Sequence, residues 1–504
     1  MQKKFKEKNP LPPEITTKRG SLENGLDAIE QYLGLASGQA AFINEFYSSR
    51  ENFPDLAEPT DWVLGDTSAC LAPVVMAGQN AALLTLSCPR NLVEYLSSID
   101  LIPQTANIIS VCNPGDVTTR LFPDDSIISK LQQNMNNTSS ILQGKTFIPS
   151  FGSPEATAFA ATVDGQVLNT TKQSIDFNSK NYMRRISDVE EFNMPVGLII
   201  KPDETLESGI IRFKQIATEK GLPISPAWLK FPSVAGGGTM PLPNGPSIDA
   251  IQSNFLKFIQ SANDGYTEPP ISEPLTSYED IPKSMLRDIV LEFDVAARGD
   301  VKILGNYCFQ AVIGERGVTY VGTTGQVTED GNYMGGYTLS QNEKDLIENV
   351  LPDIFKVFES FQKRGYRGVM GVDALVTTST QGEIKPYILE ANCRMNGSTP
   401  LLGLVQKLET IKGRNMYGES VTIPVPVNDG TPDIVMLGIL RYFNDAGLLY
   451  QKDRNTGIIP FMPDVYCRRP DSKISSTRCA IIGTNYDDVQ TVKNTLASLL
   501  TREI

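Results

Sequence analysis

The segment 387-YILEANCRMNGSTP-400 spaces a carboxylate, an amide and a guanidinium two residues apart, as Glu390, Asn392 and Arg394, at the end of an apolar run. In an extended strand alternate side chains share a face, so Glu390 and Asn392 point to the same side. Asp373 lies in the preceding apolar run, 368-GVMGVDALVTT-378, and can face them if the two runs form a hairpin through the polar STQGE turn. Two carboxylates and an amide oxygen make a hard-oxygen site suited to Mg²⁺ rather than zinc. Mg²⁺ held by few protein oxygens completes its shell with water and phosphate oxygens. A solvated polar strand end is the other reading of the same residues.

Two further segments have the composition of a polyphosphate site. In 229-LKFPSVAGGGTM-240, Lys230 ends a short strand and Gly236, Gly237 and Gly238 follow. This places a positive charge beside backbone amides that only glycine lets approach phosphate oxygens closely. A plain flexible loop is the alternative. In 289-IVLEFDVAARGD-300 an apolar strand runs into Glu292, Val295 and Asp300. Such a connector can offer backbone groups to an adenine edge and a carboxylate to a ribose.

Composition narrows the chemistry further. The 504 residues include no histidine, which removes Ser-His-Asp and Cys-His catalysis and every histidine metal site. Ser360 and Lys363 could form a Ser-Lys pair only inside a stretch that reads as amphipathic helix. The seven cysteines are scattered without a C-x-x-C pair, which fits reduced thiols in a cytoplasmic protein better than a disulfide framework or a zinc site. Cys393, inside the opening motif, reads as a small apolar filler. A net charge of −13 argues against nonspecific nucleic-acid binding. No apolar run is long enough to span a membrane, and the basic N-terminus has no apolar stretch behind it to make a secretory signal.

The elements that must carry these residues can be read from periodicity. Residues 20–170 alternate apolar runs (TDWVLGD, AALLTLS, NIISVCNPGD, KTFIPSFG) with helical patterns (NLVEYLSSI, SIISKLQQNM), which predicts a parallel, Rossmann-like sheet. It carries no G-x-G-x-x-G fingerprint. Residues 241–285 read as a surface loop around one helix, SIDAIQSNFLKFIQS. Strand patterns DIVLEFDVAA, VKILGNYCFQAVIGE and GVTYVGTTGQV follow. A single long helix is expected over EKDLIENVLPDIFKVFESFQKRG, with apolar residues at 346, 347, 350, 351, 354, 355, 358 and 361 forming one stripe. The last ninety residues read as a smaller α+β unit.

In this order the elements resemble the ATP-grasp superfamily of ligases, and most closely its pheganomycin-type amino-acid and peptide ligases. The resemblance implies an α/β and α+β chain: a Rossmann-like domain over 1–175, an ATP-grasp domain over 176–415 with a lid at about 195–290, and a C-terminal α+β domain over 416–504. It implies that Lys180, in 177-FNSKNYMRR-185, and Lys230 bind ATP with Gly236, Gly237 and Gly238, that Glu292 to Val295 hold the adenine and Asp300 the ribose. It further implies that Asp373, Glu390 and Asn392 hold Mg²⁺ or Mn²⁺, and that Arg394 and Lys230 are catalytic. Asp373 and Glu390 are seventeen residues apart, a longer hairpin than the resemblance implies, which puts the role of Asp373 in question. The implied reaction joins a small carboxylic acid, such as an amino acid, to an amine or peptide through an acyl phosphate. The other readings are an ATP-grasp carboxylase and a nucleotide-binding scaffold without turnover. Oligomeric state is left open.

Overall fold

The computed structural model describes residues 16–43, 67–112, 127–150, 154–201, 203–230, 239–254, 289–329, 332–428, 430–465 and 474–503. Its strands in chain order are β1 (Thr16–Arg19), β2 (Ala40–Ile43), β3 (Ala82–Thr85), β4 (Ile108–Ser110), β5 (Thr146–Pro149) and β6 (Gln166–Val167). Then come β7 (Gly197–Ile199), β8 (Ala227–Lys230), β9 (Thr239–Leu242), β10 (Val290–Phe293), β11 (Val301–Ile313) and β12 (Gly317–Glu329). The rest are β13 (Asn332–Thr338), β14 (Gly368–Ser379), β15 (Ile384–Asn392), β16 (Tyr417–Pro426), β17 (Gly457–Met462) and β18 (Ile474–Gly483).

Three sheets result, parallel and antiparallel, with helices against them, so the chain is a mixed α/β and α+β protein. The first is five-stranded, order β4-β3-β2-β5-β6, and all parallel. Its strands AAFI and ALLT are buried along their whole length, as expected where helices cover both faces. This is the sheet that the βα alternation predicts, although β2 takes a place that the sequence pattern did not mark. The expected strand TDWVLGD lies outside the described residues.

The second sheet is four-stranded and antiparallel, order β7-β10-β8-β9. The helix Leu206–Lys220 covers it, with Thr205 as N-cap accepting from the Ser208 N–H and Gly221 ending it in the left-handed region. Phe213 of this helix stacks on Phe293 at 3.9 Å between ring centroids. The helix expected over SIDAIQSNFLKFIQS is present from 248 to 254, and its remainder lies outside the described residues.

The third sheet has nine strands in the order β15-β14-β11-β12-β13-β16-β18-β17, with β1 paired in parallel to the start of β12. The C-terminal residues extend this sheet through the Tyr337–Glu419 pairing. The long helix expected over 343–365 is two helices, Gln341–Glu348 and Leu351–Lys363. Pro352 is the reason, because it lacks the N–H an interior position must donate but suits the first turn of a new helix. The apolar stripe survives the break: Ile347, Val350, Leu351, Ile354, Phe358 and Phe361 are all buried. Ser360 is buried in the second helix, which fits packing rather than nucleophilic chemistry.

Candidate functional site between the small and central sheets

The hairpin β14–β15 pairs Asp373 directly with Glu390, and Gly371 with Asn392. The long separation in sequence is therefore strand length, and Asp373 does face Glu390. One bulge interrupts the ladder beside this pair, since Asp373 opposes Glu390 but Ala374 opposes Ile388. Leu389 is the extra residue, and its carbonyl is free to look out of the sheet.

That carbonyl is met by the small sheet. Lys230, the last residue of β8, donates from Nζ to the Leu389 carbonyl at 2.9 Å and pairs with Glu292 Oε2 at 2.7 Å. Glu292 lies diagonally across from it, because Val290 is the register partner of Lys230 and residues 290 and 292 share a face. Arg184, from the helix Lys180–Glu190, takes the other oxygen of Glu292 and also donates to the Pro195 carbonyl at 2.7 Å. All three charged residues are buried. Burial alone would raise the Glu292 carboxyl, but Lys230 and Arg184 outweigh it and hold it below the usual range.

The same helix begins at Lys180. Its ammonium lies 3.4 Å from Glu390 Oε2 and donates to Thr239 Oγ1 at 2.7 Å. Thr239 is the register partner of Lys230, so the two lysines converge from a helix and a strand onto the end of β15. Burial lowers the Lys180 pKa despite the attraction of Glu390, with Lys230 and Arg394 adding repulsion.

The two facing carboxyls titrate in opposite directions. Burial favours the neutral form of Glu390, yet Lys180, Lys230 and Arg394 together hold it down at about 2. Asp373 is pushed up to about 7, first by burial and then by the charge of Glu390. Asn392 bridges them, its Nδ2 donating to Asp373 Oδ2 at 2.9 Å and Glu390 Oε1 at 3.3 Å, while Gln326 Nε2 donates to Asp373 Oδ1 at 3.0 Å. Among the described residues no group of three or more His, Cys, Asp or Glu side chains is arranged to hold a metal. Two carboxylates and one amide suit a cation that takes few protein oxygens and shares the rest of its shell with phosphate, which fits Mg²⁺.

Arg394 follows the strand, and its Nη1 donates to Asn178 Oδ1 at 2.7 Å. Asn178 also accepts from the Cys393 N–H at 3.0 Å. It ends the helix Thr171–Asn178, anchored through Phe177 against Tyr182, Phe361 and Tyr366. Burial lowers the Arg394 pKa and raises that of the Cys393 thiol, which suits the reading of Cys393 as filler.

The structure thus gathers Lys180, Lys230, Glu292, Asp373, Glu390, Asn392 and Arg394. The carboxyl of Glu292 is the buried counter-ion of Lys230 and Arg184. Val295 is likewise buried. Asp300 is not brought to the cluster: its carboxylate is held by Arg298, and it adjoins Val301, the partner of Ser379. From Asp373 to Ser379 the strand runs roughly 20 Å at the usual rise. Gly236, Gly237 and Gly238 lie outside the described residues. Sequence reasoning passed over Arg184, Asn178 and Gln326. Arg184 had a signal, being four residues beyond Lys180 on the same helical face. A separate cleft of about 830 Å³, lined by residues such as Asp27, Met76, Asn80, Asp100 and Lys407, does not include these groups.

No family model matches the chain. Among solved structures it is similar to an N5-carboxyaminoimidazole ribonucleotide synthetase in its ADP complex, at 11% identity and a TM-score of 0.48 over 93% of this chain and 99% of that one. It is also similar to the N5-carboxyaminoimidazole ribonucleotide synthetase from Thermus thermophilus, at 11% identity and a TM-score of 0.47 over 91% and 98%. A third is the biotin carboxylase from Campylobacter jejuni in complex with β-γ-ATP, at 11% identity and a TM-score of 0.46 over 90% and 89%.

Proposed function

We propose that the protein is an ATP-dependent ligase of the ATP-grasp type, which activates a carboxylic acid as an acyl phosphate and joins it to an amine. The observation that carries this reading is the meeting of two sheets at one strand end: Lys230 on the Leu389 carbonyl and Lys180 on Glu390, directly beside Asp373 and Asn392. Phosphoryl transfer is mostly positioning and charge neutralisation, and this is a cluster of cations and hard oxygens with no histidine.

In this reading Lys180 and Lys230 bind the triphosphate of ATP, with Glu292 and Arg184 fixing the position of Lys230. Asp373, Glu390 and the oxygen of Asn392 would hold Mg²⁺, or Mn²⁺ in its place, which neutralises phosphate charge when bound. Arg394 pairs with the acid's carboxylate and then with the oxygen that becomes negative as the amine adds. An oxygen of the acid attacks the γ-phosphorus and the bond to ADP breaks. The amine then attacks the acyl carbon, phosphate leaves, and the amine proton passes to water. An amino acid or related acid, joined to an amine or peptide as in the pheganomycin-type ligases, is the substrate class we favour.

The test is incubation with ATP, Mg²⁺ and pools of amino acids and short peptides, read by phosphate release and product mass. Condensation products with matching ADP are expected. Phosphate release that requires bicarbonate but no amine makes the protein a carboxylase instead. No turnover with any pool makes it a scaffold and sinks the proposal.

A further inference from the structure

Arg478, on β18, lies over the ring of Tyr333, on β13, with its guanidinium carbon 5.4 Å from the ring centroid. No acidic side chain among the described residues pairs with it. The Tyr333 hydroxyl is buried beside the Ser398 and Ser420 side chains and forms no well-aligned hydrogen bond among the described residues. A half-buried guanidinium with no acidic partner among the described residues, beside a buried hydroxyl, leaves donors for an incoming acceptor.

This pair is continuous with the site described above. Gly397, three residues beyond Arg394, passes so close that a Cβ there would lie 2.8 Å from the Tyr333 ring and 3.3 Å from Arg478 Nη1. The residue before it, Asn396, accepts from Gln310 Nε2 at 2.9 Å and donates to Cys308 Sγ at 3.3 Å. Cys308 is in turn the register partner of Asp373. Gln326, which reaches Asp373, is paired with Gly336, and the Tyr333 hydroxyl lies 3.0 Å from where a Cβ on Gly336 would stand. The strand order sets the direction. The small sheet and both lysines meet β15, whereas Tyr333 and Arg478 lie beyond β12, on the far side of Asp373.

We infer that Arg478 and Tyr333 bind the carboxylate of the amine-bearing substrate, so that this substrate is an amino acid or a peptide with a free C-terminus. The inference rests on the ligase reading and deepens it. Phosphate is held on the β15 side, so the amine enters from the opposite side, where Arg478 stands. A planar guanidinium backed by an aromatic face suits bidentate binding of a carboxylate, and the Tyr333 O–H adds a third donor. With that carboxylate anchored, the amine lone pair is aimed at the acyl carbon. The C–N bond forms, the C–O bond to phosphate breaks with its electrons going to phosphate, and the amine proton goes to water.

The experiment offers the enzyme, ATP and Mg²⁺ a pool of free amino acids and dipeptides, and in parallel the same compounds as C-terminal carboxamides. Wild type should form product from the carboxylates and little from the carboxamides. Arg478→Ala should raise the KM for the carboxylate acceptor roughly 10- to 100-fold, as expected for loss of a charged hydrogen bond, with the KM for ATP unchanged. Arg478→Lys should recover part of the loss. Tyr333→Phe should melt no lower than wild type without substrate and still raise the acceptor KM. Equal use of carboxamides by wild type, or an unchanged acceptor KM in Arg478→Ala, overturns the inference. Absence of product from every pool sinks the ligase reading instead. Melting with millimolar dipeptide then decides the anion subsite: stabilisation of wild type but not of Arg478→Ala supports it, and equal melting overturns it.

Discussion

Asp373 and Glu390 face each other across one hairpin rung yet titrate oppositely, Glu390 held at about 2 and Asp373 pushed up to about 7. The asymmetry comes from placement. Glu390 lies toward Lys180 and the small sheet, while Asp373 lies toward Gln326 and Cys308 in the interior of the central sheet.

A pH signature follows for the metal-free protein. Between the usual Asp value of 3.8 and about 7, the unfolded chain ionises Asp373 while the folded protein keeps its proton. The folded state then binds more protons, so stability falls as pH rises through that window. Asp373→Asn lacks this term. Its melting temperature relative to wild type should therefore climb from pH 5 to pH 8 in the presence of chelator. A pH-independent difference between the two would show that Asp373 ionises normally.

Glu390→Gln should cut ATP-dependent turnover by on the order of 10²–10³ while leaving the circular dichroism spectrum unchanged. Near wild-type turnover would remove Glu390 from the site.

The buried triad separates stability from binding. Glu292→Gln leaves Lys230 and Arg184 buried without their shared counter-charge, and breaking a buried pair in this way costs about 3–5 kcal/mol in urea denaturation. Lys230→Met leaves the Arg184–Glu292 pair intact, so it should destabilise less but weaken nucleotide binding at least about 10-fold. Unchanged ATP affinity in Lys230→Met would place the triphosphate elsewhere.

Asn178 positions Arg394 without being placed on substrate. Asn178→Ala should lower kcat by about 10²-fold with the KM for ATP unchanged, because a small misplacement near the reacting atoms is costly. Asn178→Asp keeps an acceptor for Arg394 but loses the donor to the Ser174 and Cys393 carbonyls, and should restore part of the rate. An equal loss in both variants would point to a folding defect instead.

The hairpin and the meeting of Glu390, Asn392 and Lys230 were legible because each rests on a local rule, strand alternation for Glu390 and Asn392 and a strand end for Lys230, whereas Lys180 came from the resemblance alone. The buried role of Glu292 was not, because an apolar strand ending in Glu reads alike whether its carboxyl faces solvent or a pair of cations. The place of Asp300 was hidden for a similar reason. Its distance from Asp373 depends on the register of β11 on β14, which no short stretch encodes. The single-helix reading of 343–365 failed where apolar periodicity continued in phase across Pro352. Arg478 carried no signal at all, since a lone arginine in ISSTRCAIIG gains meaning only when β18 is brought beside β13 through β16.

The chain's first described strand threads into the central sheet, β1 against the start of β12, and is secured there by Arg19 on Glu348 and Thr17 on Glu359. This ties the segment leading toward the N-terminal sheet to the sheet that carries the Asp373 hairpin. On the ligase reading, admitting and releasing nucleotide would fall to the four-stranded sheet, whose contacts with the hairpin through Lys230 and Lys180 are polar, a phosphate oxygen then taking the place of the Leu389 carbonyl.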